Sequence, residues 1–574
     1  MSSALTAPLM YQLLLGELTF DGDTAESPQS GFEIMLEAAR RTHDAQLFKR
    51  ATQMALQAHS GPGALEAVRA WHAALPQSSD ANRYELQVLI ALGRIKETAA
   101  PLRRTLETLP PDDREDFIVT LPTLYRHATD MALAEQTVEH ALASALKSPE
   151  LAPAAWASIG RMRWQANDSD GALSAATLGA TSNGQASASS QWPTLLALQL
   201  MTSDTSTLHT KTAAEALIKD YLQTPDADPD VRLGYASALA DAGRPEEALV
   251  QLKQTTQERP DYPDGWLALG SLYANQGQAD QAKTALERYL DIATRQTVKG
   301  AGTDRQQTAA SLAARQREAD MDTARLLLAQ LAQERGDVKA ADQWLAAVQS
   351  PGQMLTVAIK RATLLADQGQ LEAGRALIRA VPERGPDDAM LKLRAEAQLL
   401  SDHQRAADAY KLLADALQDH PDDKDLIYDA AMAASKANQL DDAERLLRQL
   451  ITLDPQSAAA YNALGYDLAD RGLRLEEAKQ LIEKAVTLVP HDAFVRDSLG
   501  WVQYRLGNLD EARRILENAF KQQPDAEIAA HLGEVLWAQG EHDAARAIWR
   551  QGLSLDAKNE TLQKTLERFK ISQP

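Results

Sequence analysis

Cysteine is missing from all 574 residues. That removes disulfides, zinc ribbons, thiol nucleophiles and iron–sulfur ligation in one step. It leaves the compartment open, because a thiol-free chain is safe in any of them. Positive charge is in deficit: 59 Lys and Arg stand against 80 Asp and Glu, a formal net charge of −21. A chain this acidic repels nucleic-acid phosphates and anionic lipid head groups, so neither is an expected partner. No apolar run approaches the roughly 18 to 20 residues that a membrane-crossing helix needs. The richest short run, residues 194–201, is far too brief. The first twenty residues lack the basic start of a secretory signal and carry Glu17 among their apolar side chains. The expectation is either a cytosolic protein or a chain whose leader has been removed. What is present, 44% apolar and 24% charged residues, is ordinary soluble-protein composition, and the length suggests three or four domains.

A repeat runs through the chain. Trp266, Leu269, Gly270 and Tyr273 are followed by Gly277, Ala282 and Leu286. The same frame lies upstream at Tyr235, Ala236, Leu239, Gly243, Ala248, Leu252 and Pro260, and Ala248 to Ala282 is 34 residues. Downstream, Tyr461, Leu464, Gly465, Leu468 and Ala478 begin a second run, which continues through Leu499, Gly500, Gly507 and Ala512 to Leu532, Gly533, Gly540 and Ala545. Ala443, Ala478, Ala512 and Ala545 are 35, 34 and 33 residues apart. This pattern resembles the tetratricopeptide repeat, a helical hairpin with a 34-residue period. The resemblance implies an all-α, right-handed superhelical solenoid of about a dozen to fourteen hairpins.

The residue types have physical reasons. Gly or Ala at a helix crossing lets two backbones approach closely. The turn glycines Gly243, Gly277, Gly507 and Gly540 can take the left-handed conformation that ends a helix. Pro260, Pro455, Pro490 and Pro524 stop one hairpin before the next begins. A single hairpin cannot bury its apolar face, so stability comes from stacking on neighbours. The expected organisation is an N-terminal apolar helix with degenerate hairpins over 1–60, a divergent array over 61–190, an array with two clear repeats over 191–298, a linker or extended loop over 299–321, and a C-terminal array over 322–574. The small polar stretch 179–191 reads as a second loop.

The motifs of catalysis are missing. No two of the eleven histidines lie three or four residues apart, so there is no helical pair for zinc. There is no Walker loop, and the Gly-x-Gly pairs at Gly61 and Gly300 lack a third glycine. Ser144 and Lys147 have the spacing of an acyl-enzyme motif without its companions, in a helical stretch. The acid pairs Glu246-Glu247 and Glu476-Glu477 sit where a helix begins and suit its dipole. No catalytic residue, metal or cofactor is expected, and the chain is expected not to be an enzyme.

What remains is binding surface. Positions that face the groove of such an array are Asn462, Tyr466, Asp497, Trp501, Tyr504, His531, Glu534 and Trp537, with Arg505 adjacent. Tyr466, Trp501, Tyr504 and Trp537 would make an aromatic ladder of interface anchors, or the same rings pack between helices; spacing does not separate the two. The Lys and Asn of a carboxylate-binding clamp are replaced by Asn462, Tyr466, Asp497 and Trp501, which argues against an acidic peptide tail as ligand. At the N-terminus Tyr11, Leu14, Leu15 and Leu18 form an apolar stripe, widened by Met10 and Leu13. Such a helix caps the array, docks elsewhere or binds a partner.

A closer resemblance lies at the two ends. Residues 9–23 (LMYQLLLGELTFDGD) and 39–56, and at the other end 461–486, 497–507 and 529–549, are similar to a group of proteobacterial outer-membrane lipoproteins, tetratricopeptide adaptors of the LbcA type. The resemblance is strong over roughly a third of the chain. It implies delivery of peptidoglycan hydrolases to a periplasmic carboxy-terminal processing serine protease, with the N-terminal helix (Tyr11, Leu14, Leu18) and the groove as docking elements. It also implies a lipid-anchored native form, although no lipidated cysteine stands in this sequence. The alternative is a structural scaffold in an envelope assembly, such as exopolysaccharide export or lipoprotein sorting.

Overall fold

The computed structural model describes residues 6–20, 27–182, 190–299 and 307–571. Among them every regular element is helical: 31 α-helices and three short 3-10 turns. The chain divides into two units, Met1–Arg305 and Gln306–Pro574. The first holds sixteen α-helices, from Ala7–Phe20 to Ala279–Lys299, and the second fifteen, from Gln307–Glu334 to Glu560–Arg568. The stretch expected as a linker over 299–321 differs from that reading. Helix Ala279–Lys299 runs into it and helix Gln307–Glu334 starts within it, since residues 307–321 contain neither Gly nor Pro to stop a helix. Gly300 and Gly302, and most of the loop expected over 179–191, lie outside the described residues.

In the second unit, seven hairpins follow one another and a single helix, Glu560–Arg568, closes the series. The local code is regular. In the last four hairpins first helices start on a side-chain cap: Asp492 accepts from the Phe494 and Val495 amides at 2.8 and 3.1 Å, and Asp525 from those of Glu527 and Ile528 at 2.7 and 3.3 Å. Three of the four second helices there start instead with acid pairs, Asp441-Asp442, Glu476-Glu477 and Asp510-Glu511, placed against the positive end of the dipole. Between them Gly507 and Gly540 both have φ of +85°, as the turn requires. At the matching position of an earlier hairpin in the same series Asn438 adopts φ +58° without the freedom of a glycine.

The crossings explain the small residues. Ala443, Ala478, Ala512 and Ala545 are fully buried. A Cβ on Gly533 would lie 2.2 Å from Trp549 Nε1, inside any permitted contact, so the indole packs on bare backbone. Trp549 is itself fully buried, and its Nε1 donates to the Ala530 carbonyl at 3.2 Å.

The first unit is less regular. Pro111–Leu124 packs against Ala152–Gln165, two helices further on in a stretch whose signature residues have decayed. Its first core gathers Phe32, Met35, Phe48 and Trp71, with Phe48 and Trp71 stacked at 6.4 Å. Leu13 and Phe20 of the first helix reach into that core. The clear repeats at its other end follow the code of the second unit, with Gly243 and Gly277 at φ +74° and +70°.

Candidate functional site

Two surfaces stand out, one in each unit. The first is the outer side of helix Ala7–Phe20. This segment is apolar around its whole circumference, with Glu17 its only charge, so no choice of face could bury all of it. The inner side is fixed by close backbone packing: a Cβ on Gly31 would meet the Gly16 carbonyl oxygen at 2.6 Å. Arg50 then clamps Glu17, its Nε donating at 2.7 Å, and these hydrogen bonds hold the carboxyl below the usual range. Leu13, expected as part of the open stripe, turns inward to the core. Tyr11, Leu14 and Leu18 turn outward, 70%, 52% and 72% exposed, with Met10 and Leu15 beside them. One helix thus covers the first core with one face and offers five large apolar side chains with the other.

The second surface lies where three first helices of successive hairpins meet, Ala458–Asp470, Ala493–Arg505 and Ala526–Ala538. Residues selected from sequence separate here into lining and foundation. Asn462, Tyr466 and Asp497 line a half-open cavity of about 380 Å³. Trp501 and His531 lie buried, 3% and 2% exposed, and stack at 4.3 Å. The His531 Nδ1 is 2.8 Å from Asp497 Oδ2, and its Nε2 is 3.4 Å from the Tyr466 hydroxyl. Burial works against charge on His531. The Asp497 carboxylate, with Glu527 and Glu534 near, outweighs it and raises the imidazole above its ordinary value. Burial, followed by the charges of Glu527 and Asp497, pushes the Tyr466 phenol well up. Burial likewise raises the carboxyls of Glu527 and Glu534. Arg568 pairs with Glu534 from the closing helix.

The four expected rungs do not form one ladder. Trp501 and Tyr504 pack together at 5.2 Å in the groove cluster. Trp537 instead stacks on His542 at 4.1 Å and on Trp549 at 5.6 Å, at the back of the last hairpin. Its ring meets the second helix of its own hairpin, where Trp549 occupies the space over Gly533. Arg505 lies over the Trp501 ring at 5.7 Å and donates to the Asp470 carbonyl at 2.6 Å. Sequence reasoning missed Tyr428, Asp467, Phe494 and Glu527, which share the cavity. Asp467 lies one residue past Tyr466, and Glu527 one turn before His531, so the helical period was the available signal.

An Asp–His–Tyr chain invites a catalytic reading. His531 is sealed from solvent, though, and its outer nitrogen meets a phenol whose proton burial holds more tightly, so these three residues do not make an activated nucleophile. Among the described residues no group of His, Asp and Glu is arranged to hold a metal. None of the described helices is long and apolar enough to cross a membrane.

Comparison with known proteins places the repeats. Tetratricopeptide repeat models match residues 239–298 and 400–465, and a second such model matches 498–560. The TPR repeat-containing protein PA4667 of Pseudomonas aeruginosa is 34% identical over 215 residues, covering 37% of this chain and 36% of that one. The match therefore spans little more than a third of that relative's length. Among solved structures, a tetratricopeptide repeat protein from Parabacteroides merdae aligns over 43% of this chain and 97% of its own, with a TM-score of 0.34 and 15% identity. TTC0263, a thermophilic TPR protein of Thermus thermophilus, aligns over 32% and 99%, with a TM-score of 0.29 and 23% identity. With hairpins of this geometry and matched repeats in both units, the described residues are all-α and the chain carries tetratricopeptide repeats over the matched segments.

Proposed function

We propose that this chain is a non-enzymatic adaptor that binds and activates a periplasmic carboxy-terminal processing protease and presents peptidoglycan hydrolases to it at the outer membrane. The observation that carries this reading is the outer face of helix Ala7–Phe20. Five large apolar side chains stand in solvent on a helix whose other face is firmly packed, and contiguous apolar surface of this kind marks an interaction site. The likeness of both ends of the sequence to protease adaptors supports the choice of partner. The helix would hold the protease, and the groove of the second unit its substrate. Holding both raises their effective concentration, which gives about 10²- to 10⁴-fold in avidity without any catalytic group.

The test is a degradation assay with the matching protease and a peptidoglycan hydrolase, with and without this chain. Faster degradation with it is expected, together with loss of protease capture when residues 1–20 are deleted. Equal rates would overturn the adaptor role and favour a structural part in an envelope assembly. Capture that survives the deletion would reject the docking helix alone.

A further inference from the structure

The cavity beside Tyr466 carries four carboxylates, Asp467, Asp470, Asp497 and Glu527, and no basic side chain lines it. Two of the four are neutralised from outside it: Asp467 pairs with Arg471 at 3.0 Å, and Asp470 lies 3.8 Å from Arg505. Neither of the other two has an Arg or Lys partner, and the one opposite charge beside Asp497 is the His531 imidazole behind it. Asp497 is 4% exposed; its Oδ2 meets His531, while its Oδ1 has no hydrogen-bond partner. Glu527 meets only the hydroxyls of Tyr466 and Thr561, each at 3.4 Å, and is in no ion pair. Asn462 Oδ1 is a second buried oxygen without a partner.

Buried acceptors left unpaired are costly, a charged one most of all. The two unpartnered buried atoms of the cavity lining, Asp497 Oδ1 and Asn462 Oδ1, are both acceptors, so the missing partner is a donor. Water supplies hydrogens but no charge, whereas a cation supplies both. The walls narrow the choice further. Rings of Tyr428, Tyr466 and Phe494 line the same space, and a planar guanidinium both stacks on aromatic faces and forks between two acceptors, which an ammonium does not. At about 380 Å³ the cavity lies at the small end of ligand pockets, a size suited to one side chain.

We propose that this cavity seats an arginine side chain of a bound polypeptide, with Asp497 and Glu527 as its counter-charges and Asn462 as an added acceptor. The groove thereby has the opposite polarity to a clamp for acidic tails. The proposal rests on the chain being a protein-binding scaffold and does not depend on which protein is bound.

Four acetylated, amidated Gly/Ser nonapeptides test it, differing only at the central residue: arginine, citrulline, lysine or glutamate. Binding to the full chain is followed by saturation-transfer NMR. The arginine peptide should bind saturably and at least about tenfold more tightly than the citrulline peptide, its neutral isostere, with lysine between them and glutamate silent. Asp497→Asn should bring arginine binding down to the citrulline level, and Glu527→Gln should weaken it severalfold. Equal binding of arginine and citrulline peptides, or arginine binding untouched by both substitutions, would overturn the site. Lysine equal to arginine would overturn the guanidinium assignment. Should circular dichroism find Asp497→Asn unfolded, Glu527→Gln and the citrulline comparison decide. A chain that activates the protease but ignores the arginine peptide sinks this site alone. One that binds the peptide without affecting proteolysis sinks the adaptor reading alone.

Discussion

The first and last described helices face the same physical problem and answer it in opposite ways. A hairpin array needs a terminal element whose inner side is apolar and whose outer side is polar. Helix Glu560–Arg568 fits that requirement. Leu562, Thr565 and Leu566 are buried, while Glu560, Gln563 and Glu567 lie towards solvent. Helix Ala7–Phe20 covers its core just as directly, yet leaves Met10, Tyr11, Leu14, Leu15 and Leu18 exposed. One end is finished with charge turned to the water, and the other, on the proposed reading, turns an apolar face to a partner. Capping alone would be satisfied by polar residues at those five positions, so under that proposal their apolar character serves binding rather than folding.

The largest expected effect breaks the finished end. Trp549→Ala removes a fully buried indole that rests on Gly533 and stacks with Trp537. It should cost about 3–5 kcal/mol of local stability. Because each hairpin touches mainly its neighbours, the loss should appear as early exchange of amides in helices Ala526–Ala538 and His542–Leu555, with the first unit unaffected. Uniform destabilisation of both units, measured by hydrogen exchange, would contradict the nearest-neighbour account.

The open end should behave in the reverse manner. Tyr11→Ala, Leu14→Ala and Leu18→Ala together keep helix propensity and remove only exposed side chains. Stability should change by no more than about 0.5 kcal/mol for each substitution. Capture of the protease should weaken by about 2 kcal/mol or more if these are interface anchors. A large fall in melting temperature with capture unchanged would mean that the outer face is structural.

Much of this was legible in the sequence, for a reason that individual residues make plain. Ala443, Ala478, Ala512 and Ala545 recur because a close crossing tolerates nothing larger, and Gly507 and Gly540 because the turn needs positive φ; steric rules of this kind leave a mark at fixed spacing. The faces of the first helix were less legible. With apolar residues on every side, nothing in the pattern says that Leu13 turns in and Leu14 out. The groove was half legible. Asn462, Tyr466 and Asp497 line the cavity, as inward positions should, but whether Trp501 is lining or foundation depends on His531 of the next hairpin lying across it. Glu527 was hidden because an acid in the first turn of a helix already has a sufficient reason in the dipole.

Acid and base should separate the two ends by sign. Arg50 holds the Glu17 carboxyl below its ordinary value of 4.5 through hydrogen bonds. A depressed acid contributes attachment that is present above that value and lost as pH falls through the folded pKa. At the other end burial raises Glu527 and Glu534 above 4.5, and His531 lies above 6.5 because Asp497 outweighs its burial. All three bind protons more readily folded than unfolded, so their contribution is complete at low pH. It is lost as pH rises, through the carboxyl range first and through the raised imidazole pKa last. Exchange protection corrected for intrinsic rates should therefore weaken in helix Ala7–Phe20 on acidification and in helix Ala526–Ala538 on going alkaline. The same sign at both ends would contradict the assigned pairings, and Arg50→Gln should abolish the response of the first helix only.

The smallest effect concerns the outer face of the closing helix. Glu560 and Lys564 form an i,i+4 pair at 2.5 Å, but their side chains are 75% and 72% exposed, and pairs of that kind contribute about 0.3–0.5 kcal/mol. Lys564→Ala should accordingly leave the melting curve almost unchanged, and what remains of its effect should fade in high salt as the charges are screened. The reason for charges on this face is what they prevent. Placing Leu at Gln563, Lys564 and Glu567 would give the closing helix the outer character of the first one. Stability should again hardly move, while sedimentation should reveal new self-association through that face. Should the triple Leu variant stay monomeric at concentrations where the unaltered chain does, exposed apolar side chains on a terminal helix would not be sufficient for docking, and the weight placed on Tyr11, Leu14 and Leu18 would have to shift to the particular shape that those three present.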